Sequence, residues 1–224
     1  MPKVYAFYNP LAGNGSCKED VRFLELFYNS QVIYCDLTKA ETYEQQLFAL
    51  EKEDLLILCG GDGTLNRFLN LVQADSIPCD ILLFPLGTEN RFAQALGHCF
   101  GCVPFSIRPQ LSRLPTVNIH GRQLVFLSHI QYGFSCNAKS ATISVDGVSQ
   151  SYKKVWQISL ARNWKTDQLT LRPLDGRCRL FAKIRQGKVP SLSGQEITVT
   201  FSKPTTVYLD GDPVADITSY TATI

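Results

Sequence analysis

The sequence predicts an α/β fold in two parts: a doubly wound, mostly parallel sheet domain followed by a smaller, β-rich antiparallel domain. Three observations predict it. Apolar strand-like runs alternate with helix-like segments through roughly the first hundred residues, the order that βαβ units produce. After about Pro104, helical periodicity gives way to short β-rich runs. Hydrophobic residues make up 45% of the chain and charged residues 19%, which supplies apolar side chains for a packed core and argues against disorder. The expected domains are residues 1–105 and 106–224, with a site in the cleft between them.

In the first part, Val4–Tyr8 reads as a strand and leads into the loop Asn9-Pro10-Leu11-Ala12-Gly13-Asn14-Gly15-Ser16. Lys18–Tyr28 places Val21, Leu24 and Phe27 at helical spacing. Gln31–Cys35 is the second strand, and Tyr43–Leu50 the next helix. Leu55–Cys59 is apolar at every position, as a strand covered on both faces must be. Thr64–Val72 is a helix, Asp80–Phe84 the fourth strand and Asn90–Leu96 a short helix. In the second part, strands are expected at Thr116–Ile119, Leu124–Ile130, Val155–Ser159, Gln168–Pro173, Arg179–Ile184, Glu196–Phe201 and Thr206–Leu209. His120-Gly121-Arg122 and Pro173-Leu174-Asp175-Gly176 read as turns.

A net charge of +2 gives no electrostatic argument for nucleic acid as a partner. No apolar run reaches membrane-spanning length, and Met1–Phe7 reads as a strand rather than a signal segment. The eight cysteines are therefore expected as free thiols in a cytoplasmic protein. The Cys99-Phe100-Gly101-Cys102 spacing lacks the second pair that a zinc site needs, and is read as structural.

Parallel sheets bind ligands beyond the carboxyl ends of their strands. Three unusual loops fall at such ends: Asn9–Ser16, Gly60–Thr64 and Pro85–Asn90. Gly60, Gly61 and Gly63 would let backbone N–H groups approach a phosphate closely. Asp62 could hold Mg²⁺ directly or through water. Thr64 and Thr88 offer hydroxyls, and the helix opening at Thr64 would turn its positive end toward phosphate. Near the end of the chain, Asp210-Gly211-Asp212 carries two carboxylates on alternate residues. In an extended segment both would face one acceptor hydroxyl.

Four segments carry a resemblance: Asn9-Pro10-Leu11-Ala12-Gly13-Asn14-Gly15, Gly60-Gly61-Asp62-Gly63-Thr64-Leu65-Asn66, Pro85-Leu86-Gly87-Thr88-Glu89-Asn90-Arg91-Phe92-Ala93, and Leu209-Asp210-Gly211-Asp212. Their order resembles the diacylglycerol kinase catalytic-domain family, which includes soluble bacterial lipid kinases and sphingosine kinases and is distantly similar to NAD kinases. The resemblance is close in the first half and returns at Tyr132-Gly133-Phe134 and the acidic turn. It implies a phosphotransferase using ATP and Mg²⁺, acting on a lipid alcohol at a membrane surface. It implies nucleotide binding by Asn9, Thr38, Gly60, Gly61, Asp62, Gly63, Thr64, Gly87, Thr88 and Asn90, and catalysis by Asp62, Asp210 and Asp212. Asp212, as general base, stands where that pattern usually has Glu.

The chain departs from the family's pattern at Arg67, Arg91 and Ser135, where acidic residues are usual. Three readings stand: drift of surface residues, arginines that contact phosphate directly, or nucleotide binding with lost catalysis. A kinase of a soluble alcohol such as NAD is a further alternative. The second part is short, so a second copy of the chain could be needed to complete a lipid pocket. Lys153, Lys154, Arg162, Lys165, Arg177, Arg179, Lys183, Arg185 and Lys188 form a basic set there, read as a solvated surface or a weak cationic face for anionic headgroups.

Overall fold

A computed structural model describes residues 2–28, 32–72, 74–133, 138–176 and 191–224. The chain divides into two units, Met1–Arg113 and Leu114–Ile224.

The first unit is built on β1 (Val4–Tyr8), β2 (Val32–Asp36), β3 (Leu55–Gly60), β4 (Asp80–Pro85) and β5 (Phe105–Ser106), in the order β2-β1-β3-β4-β5. The first four are parallel; β5 returns antiparallel on β4. That return keeps residues 105–113 in the first unit, beyond the change in composition. Its helices are α1 (Cys17–Asp20), α2 (Ala40–Phe48), α3 (Asp62–Leu71), α4 (Arg91–Ala95) and α5 (Arg108–Leu111).

β3 lies between β1 and β4, and Leu56 to Cys59 are each at most 1% exposed. This is the physical reason for its unbroken apolar sequence. On α3, Leu65 and Phe68 are buried, and Phe68 meets Phe7 edge-on at 6.2 Å.

Two expected helices differ. Lys18–Tyr28 is not one α-helix: α1 passes into a 3₁₀ segment, Val21–Leu26. Cys17, Val21 and Leu24 form its buried stripe, and Phe27 is only half-buried. The second helix ends at Phe48, which is 91% exposed, whereas Leu50 beyond it is buried. The apolar residues of Tyr43–Leu50 therefore do not share one buried face.

The second unit contains β6 (Thr116–Ile119), β7 (Arg122–Val125), β8 (Ile130–Tyr132), β9 (Lys139–Val145), β10 (Val148–Asn163), β11 (Gln168–Asp175), β12 (Leu192–Gly194), β13 (Glu196–Leu209) and β14 (Asp212–Thr223). Among the described residues they form one sheet, β12-β11-β10-β8-β13-β14-β6-β7, with β9 pairing both β10 and β13. Every described pairing is antiparallel. Its core gathers Ile130, Tyr132, Ile158, Leu160, Val199, Phe201 and Tyr220 among others.

Three two-residue hairpins shape this sheet: His120-Gly121, Asp146-Gly147 and Asp210-Gly211. In each pair both residues have positive φ, the requirement of a type I′ turn. The expected turn at Pro173–Gly176 is instead largely strand, with Pro173 opposite Ile158 and Leu174 opposite Gln157. The expected strand Leu124–Ile130 breaks at residues 126–129, where backbone amides turn to a side chain described below. The predicted strand Arg179–Ile184 lies outside the described residues, as do Phe134, Ser135, Cys136 and Cys178.

Candidate functional site

The predicted residues fall into two clusters, one in each unit. In the first unit the three loops at the strand ends meet. Gly61 and Gly87 bring their backbones together: a Cβ on Gly61 would stand 2.9 Å from the Gly87 Cα. A Cβ on Gly87 would run into the Gly61 Cα and stand 2.7 Å from Asn90 Oδ1. A Cβ on Gly60 would stand 2.6 Å from Thr64 Oγ1. No side chain fits at these places, so the loops meet backbone to backbone.

Polar side chains lock the same loops. Asn9 Nδ2 donates to Thr64 Oγ1 at 3.3 Å, tying the first loop to the glycine turn. Gly13 adopts φ 61°, and a Cβ there would stand 2.6 Å from the Leu86 carbonyl oxygen. Asn90 is buried in the left-handed region, where its Oδ1 accepts from Gly87 N (2.9 Å) and its Nδ2 donates to Gly87 O (2.7 Å). Asp62 reaches across: Oδ2 accepts from Arg91 N at 2.8 Å and Oδ1 from Phe92 N at 3.1 Å. Its carboxylate thus caps α4, satisfying amides that a helix start leaves without intrahelical partners. Asp62 also opens α3, whose own first-turn N–H groups carry the positive end of the helix dipole.

Thr64 is buried, while Gly63 and Thr88 are exposed. Thr38 is exposed after β2; its N–H and Oγ1 both donate to Asp36 Oδ1, at 2.9 and 2.6 Å. It takes no part in the bonds described above that join the three loops. Arg67 is exposed on α3. Arg91 is exposed too, its Nε 2.8 Å from Glu89 Oε2, an ion pair of small energetic worth at such exposure. Behind the turn, the Cys17 thiol donates to the Cys59 carbonyl at 3.6 Å. Burial, then the nearby Asp20 charge, pushes Cys17 up to about 12, and burial also raises Cys59 far above its ordinary value. Both thiols are packing groups.

The second cluster stands at the β13–β14 hairpin. Asp210 and Gly211 form its turn, so the segment is not extended as the alternate-residue argument required. Asp210 turns inward on the loop that interrupts the expected strand. Oδ1 accepts from Ser128 N, Ser128 Oγ and His129 N, each at 2.8 Å, and Oδ2 from Leu127 N at 2.6 Å. Asp212 is exposed as the first residue of β14. Sequence reasoning missed Ser128 and His129, and the capping role of Asp62. A Ser-His pair interrupting an apolar run was the available signal.

Of the basic set of the second unit, Lys153, Lys154 and Lys165 are exposed and Arg162 is not a surface residue. Arg162 is 6% exposed, pairs with Asp167 and lies 4.1 Å over the Trp164 ring. Arg177, Arg179, Lys183, Arg185 and Lys188 lie outside the described residues. Among the described residues no helix is long and apolar enough to cross a membrane, and no group of three or more His, Cys, Asp or Glu could hold a metal ion.

The glycine-turn half of this arrangement has recognisable relatives. Residues 3–103 match the diacylglycerol kinase catalytic domain. That match lies wholly within the first unit. A diacylglycerol kinase of Bacillus subtilis (strain 168) is 32% identical over 103 residues, covering 43% of this chain and 34% of that protein. One from Staphylococcus aureus (strain MRSA252) is 29% identical over 94 residues, covering 40% and 30%. The matched stretch therefore spans about a third of those relatives. The solved structure of a diacylglycerol kinase from Bacillus anthracis str. Sterne covers 99% of this chain and 93% of its own, with a TM-score of 0.67 at 16% identity. Yeast NADH kinase, solved with NADH, covers 100% and 78% with a TM-score of 0.50 at 15% identity. These structural likenesses show the fold, over both units.

Proposed function

We propose that this chain is an ATP-dependent lipid kinase that transfers the γ-phosphoryl group to a lipid hydroxyl at a membrane surface. The observation that carries the reading is the junction of three loops around Gly61 and Gly87, held by Asn9, Asp62 and Asn90. A glycine turn without side chains beside the N-terminus of α3 favours phosphate. Phosphoryl transfer needs little more than positioning and charge stabilisation, which such a preorganised turn supplies.

The residues present fit Mg²⁺ held mainly by nucleotide phosphates and water. Asp62 is the carboxylate beside the turn, a group that can hold Mg²⁺ directly or through water. When bound, the metal would neutralise phosphate charge. In this reading Asp212, the exposed carboxylate that opens β14, orients the acceptor hydroxyl or takes its proton.

A second reading, nucleotide binding with lost catalysis, is favoured by one observation: Asp210 has four hydrogen bonds committed to the loop at 127–129. The test is transfer of labelled γ-phosphoryl from ATP to diacylglycerol, other lipid alcohols in mixed micelles, and NAD. Transfer to a lipid, lost in Asp212→Asn, supports the kinase. ATP binding by calorimetry with no transfer to any acceptor overturns it in favour of the second reading. Transfer to NAD alone assigns a soluble acceptor.

A further inference from the structure

We propose that Cys99 and Cys102 form a thiol–disulfide exchange site in the first unit: a low-molecular-weight disulfide oxidises the pair to a reversible bond across the turn Cys99-Phe100-Gly101-Cys102. The proposal does not depend on the kinase reading.

The backbone brings the two residues within bonding range. Cys102 N donates to the Cys99 carbonyl at 3.3 Å, which closes a four-residue turn. Gly101, at its third position, has φ 65°, the left-handed value that a type II turn asks of that position. The first and fourth Cα atoms of such a turn lie less than about 7 Å apart. A disulfide spans a Cα separation of about 4.4–6.8 Å. The Cys102 side chain also folds back in the direction the bond requires. Burial raises its pKa, while hydrogen bonding from the Cys99 backbone N–H to that sulfur opposes the rise. The sulfur therefore lies on the Cys99 side of the turn.

The turn is set before any bond forms. Gly101 N donates to the Pro85 carbonyl at 3.0 Å, tying the turn to the end of β4. His98, just before it, donates its backbone N–H to the Ala93 carbonyl of α4 at 2.9 Å. Its ring stacks on Phe105 of β5, with centroids 3.6 Å apart and planes within 7°. With the turn held on both flanks, closing the bond costs little further chain entropy.

Access singles out this pair among the described cysteines. Cys99 is exposed and Cys102 half-buried, and Phe100 and Gly101 between them are exposed. Cys17, Cys35, Cys59 and Cys79 are buried, and burial raises the pKa of each. The thiolate is the reactive form, so those four are inert.

In the step, the exposed Cys99 thiolate attacks one sulfur of the small disulfide. That S–S bond breaks, one small thiol leaves, and Cys99 carries the other half as a mixed disulfide. The Cys102 thiolate then attacks the Cys99 sulfur, forming the Cys99–Cys102 bond and releasing the second small thiol. The protein gives up two electrons and two protons, and the small disulfide becomes two thiols.

Oxidised glutathione is the probe. The full chain is incubated with it at neutral pH, blocked with iodoacetamide and cut with trypsin. The peptide Phe92–Arg113 holds Cys99 and Cys102 and no other cysteine. It should emerge two hydrogens lighter and unalkylated, and dithiothreitol should return both thiols to alkylation. In Cys102→Ser the second attack is lost, so Cys99 should keep glutathione as a mixed disulfide. Cys102→Ala should read the same, which covers a turn disturbed by Ser. Both thiols alkylated in the treated parent would overturn the proposal. So would glutathione retained on the parent peptide, or Cys99 joined to a cysteine of another peptide.

Discussion

Asp62 invites the substitution that most needs a stability control. Its carboxylate would be changed to Asn or Ala to test metal binding, yet both oxygens accept amides at the start of α4. The Phe92 amide bond is partly buried, and its side chain is 1% exposed in the core. Hydrogen bonds to a charged acceptor contribute about 1.5–3 kcal/mol when desolvated. The Phe92 bond is assigned about 2 kcal/mol, and the exposed Arg91 amide, which water can re-solvate, about 0.5. Asp62→Ala should therefore cost about 2.5 kcal/mol. Asp62→Asn keeps one acceptor, turns an NH₂ toward the second amide, and should cost about 1.5. At roughly 4 °C per kcal/mol for a unit of this size, the midpoints should fall by about 10 and 6 °C. All described helices lie in the first unit and both tryptophans, Trp156 and Trp164, in the second. Helical circular dichroism thus reads the affected unit, and tryptophan fluorescence reads the other. Amide exchange at Phe92 should quicken in both variants. A parent-like midpoint together with parent-like exchange at Phe92 in Asp62→Ala would refute the capping argument. If the argument holds, activity lost in Asp62→Asn measures positioning as well as metal binding.

Two further outcomes follow from the first unit. Gly87→Ala should destabilise it by about 3 kcal/mol and abolish ATP binding, because the new methyl meets the Gly61 backbone rather than a flexible side chain; urea titration and calorimetry on the folded fraction check this, and unchanged ATP affinity would remove the phosphate assignment. Asp54 is 5% exposed and its burial favours the neutral acid, but the Lys3 and Glu51 amides and the Lys3 charge outweigh that and lower its pKa. Its folded value thus lies below the unfolded one, so its stabilisation is complete above the unfolded value of about 4 and is lost as pH falls through the folded value. Asp54→Asn should cost about 1 kcal/mol at neutral pH, with the deficit shrinking in acid; an equal deficit at pH 7 and pH 2 by urea titration would contradict it.

The central strands were legible because burial on both faces leaves no choice of residue: Leu55–Cys59 must be apolar throughout, and is. The His120-Gly121 hairpin was legible because a type I′ turn restricts residue type at both positions. The antiparallel strand Phe105–Ser106 was not, since two residues show no alternation. Pro173 looked like a turn by its chemistry, but its position opposite Ile158 in an antiparallel pair overrides that preference. The 3₁₀ segment Val21–Leu26 was hidden because its buried residues sit at spacings that an α-helix shares.

The sequence by itself determined the parallel order of the first unit, the three loops at its strand ends and the glycines among them. Strand periodicity and the topology of βαβ units are local rules, readable one segment at a time. Only the tertiary structure decided what the carboxylates do. Asp62 caps a helix that begins 29 residues later, and Asp210 gathers amides from a loop 81 to 83 residues earlier. Hydrogen bonds over such separations depend on where the chain returns, and no local pattern encodes that return.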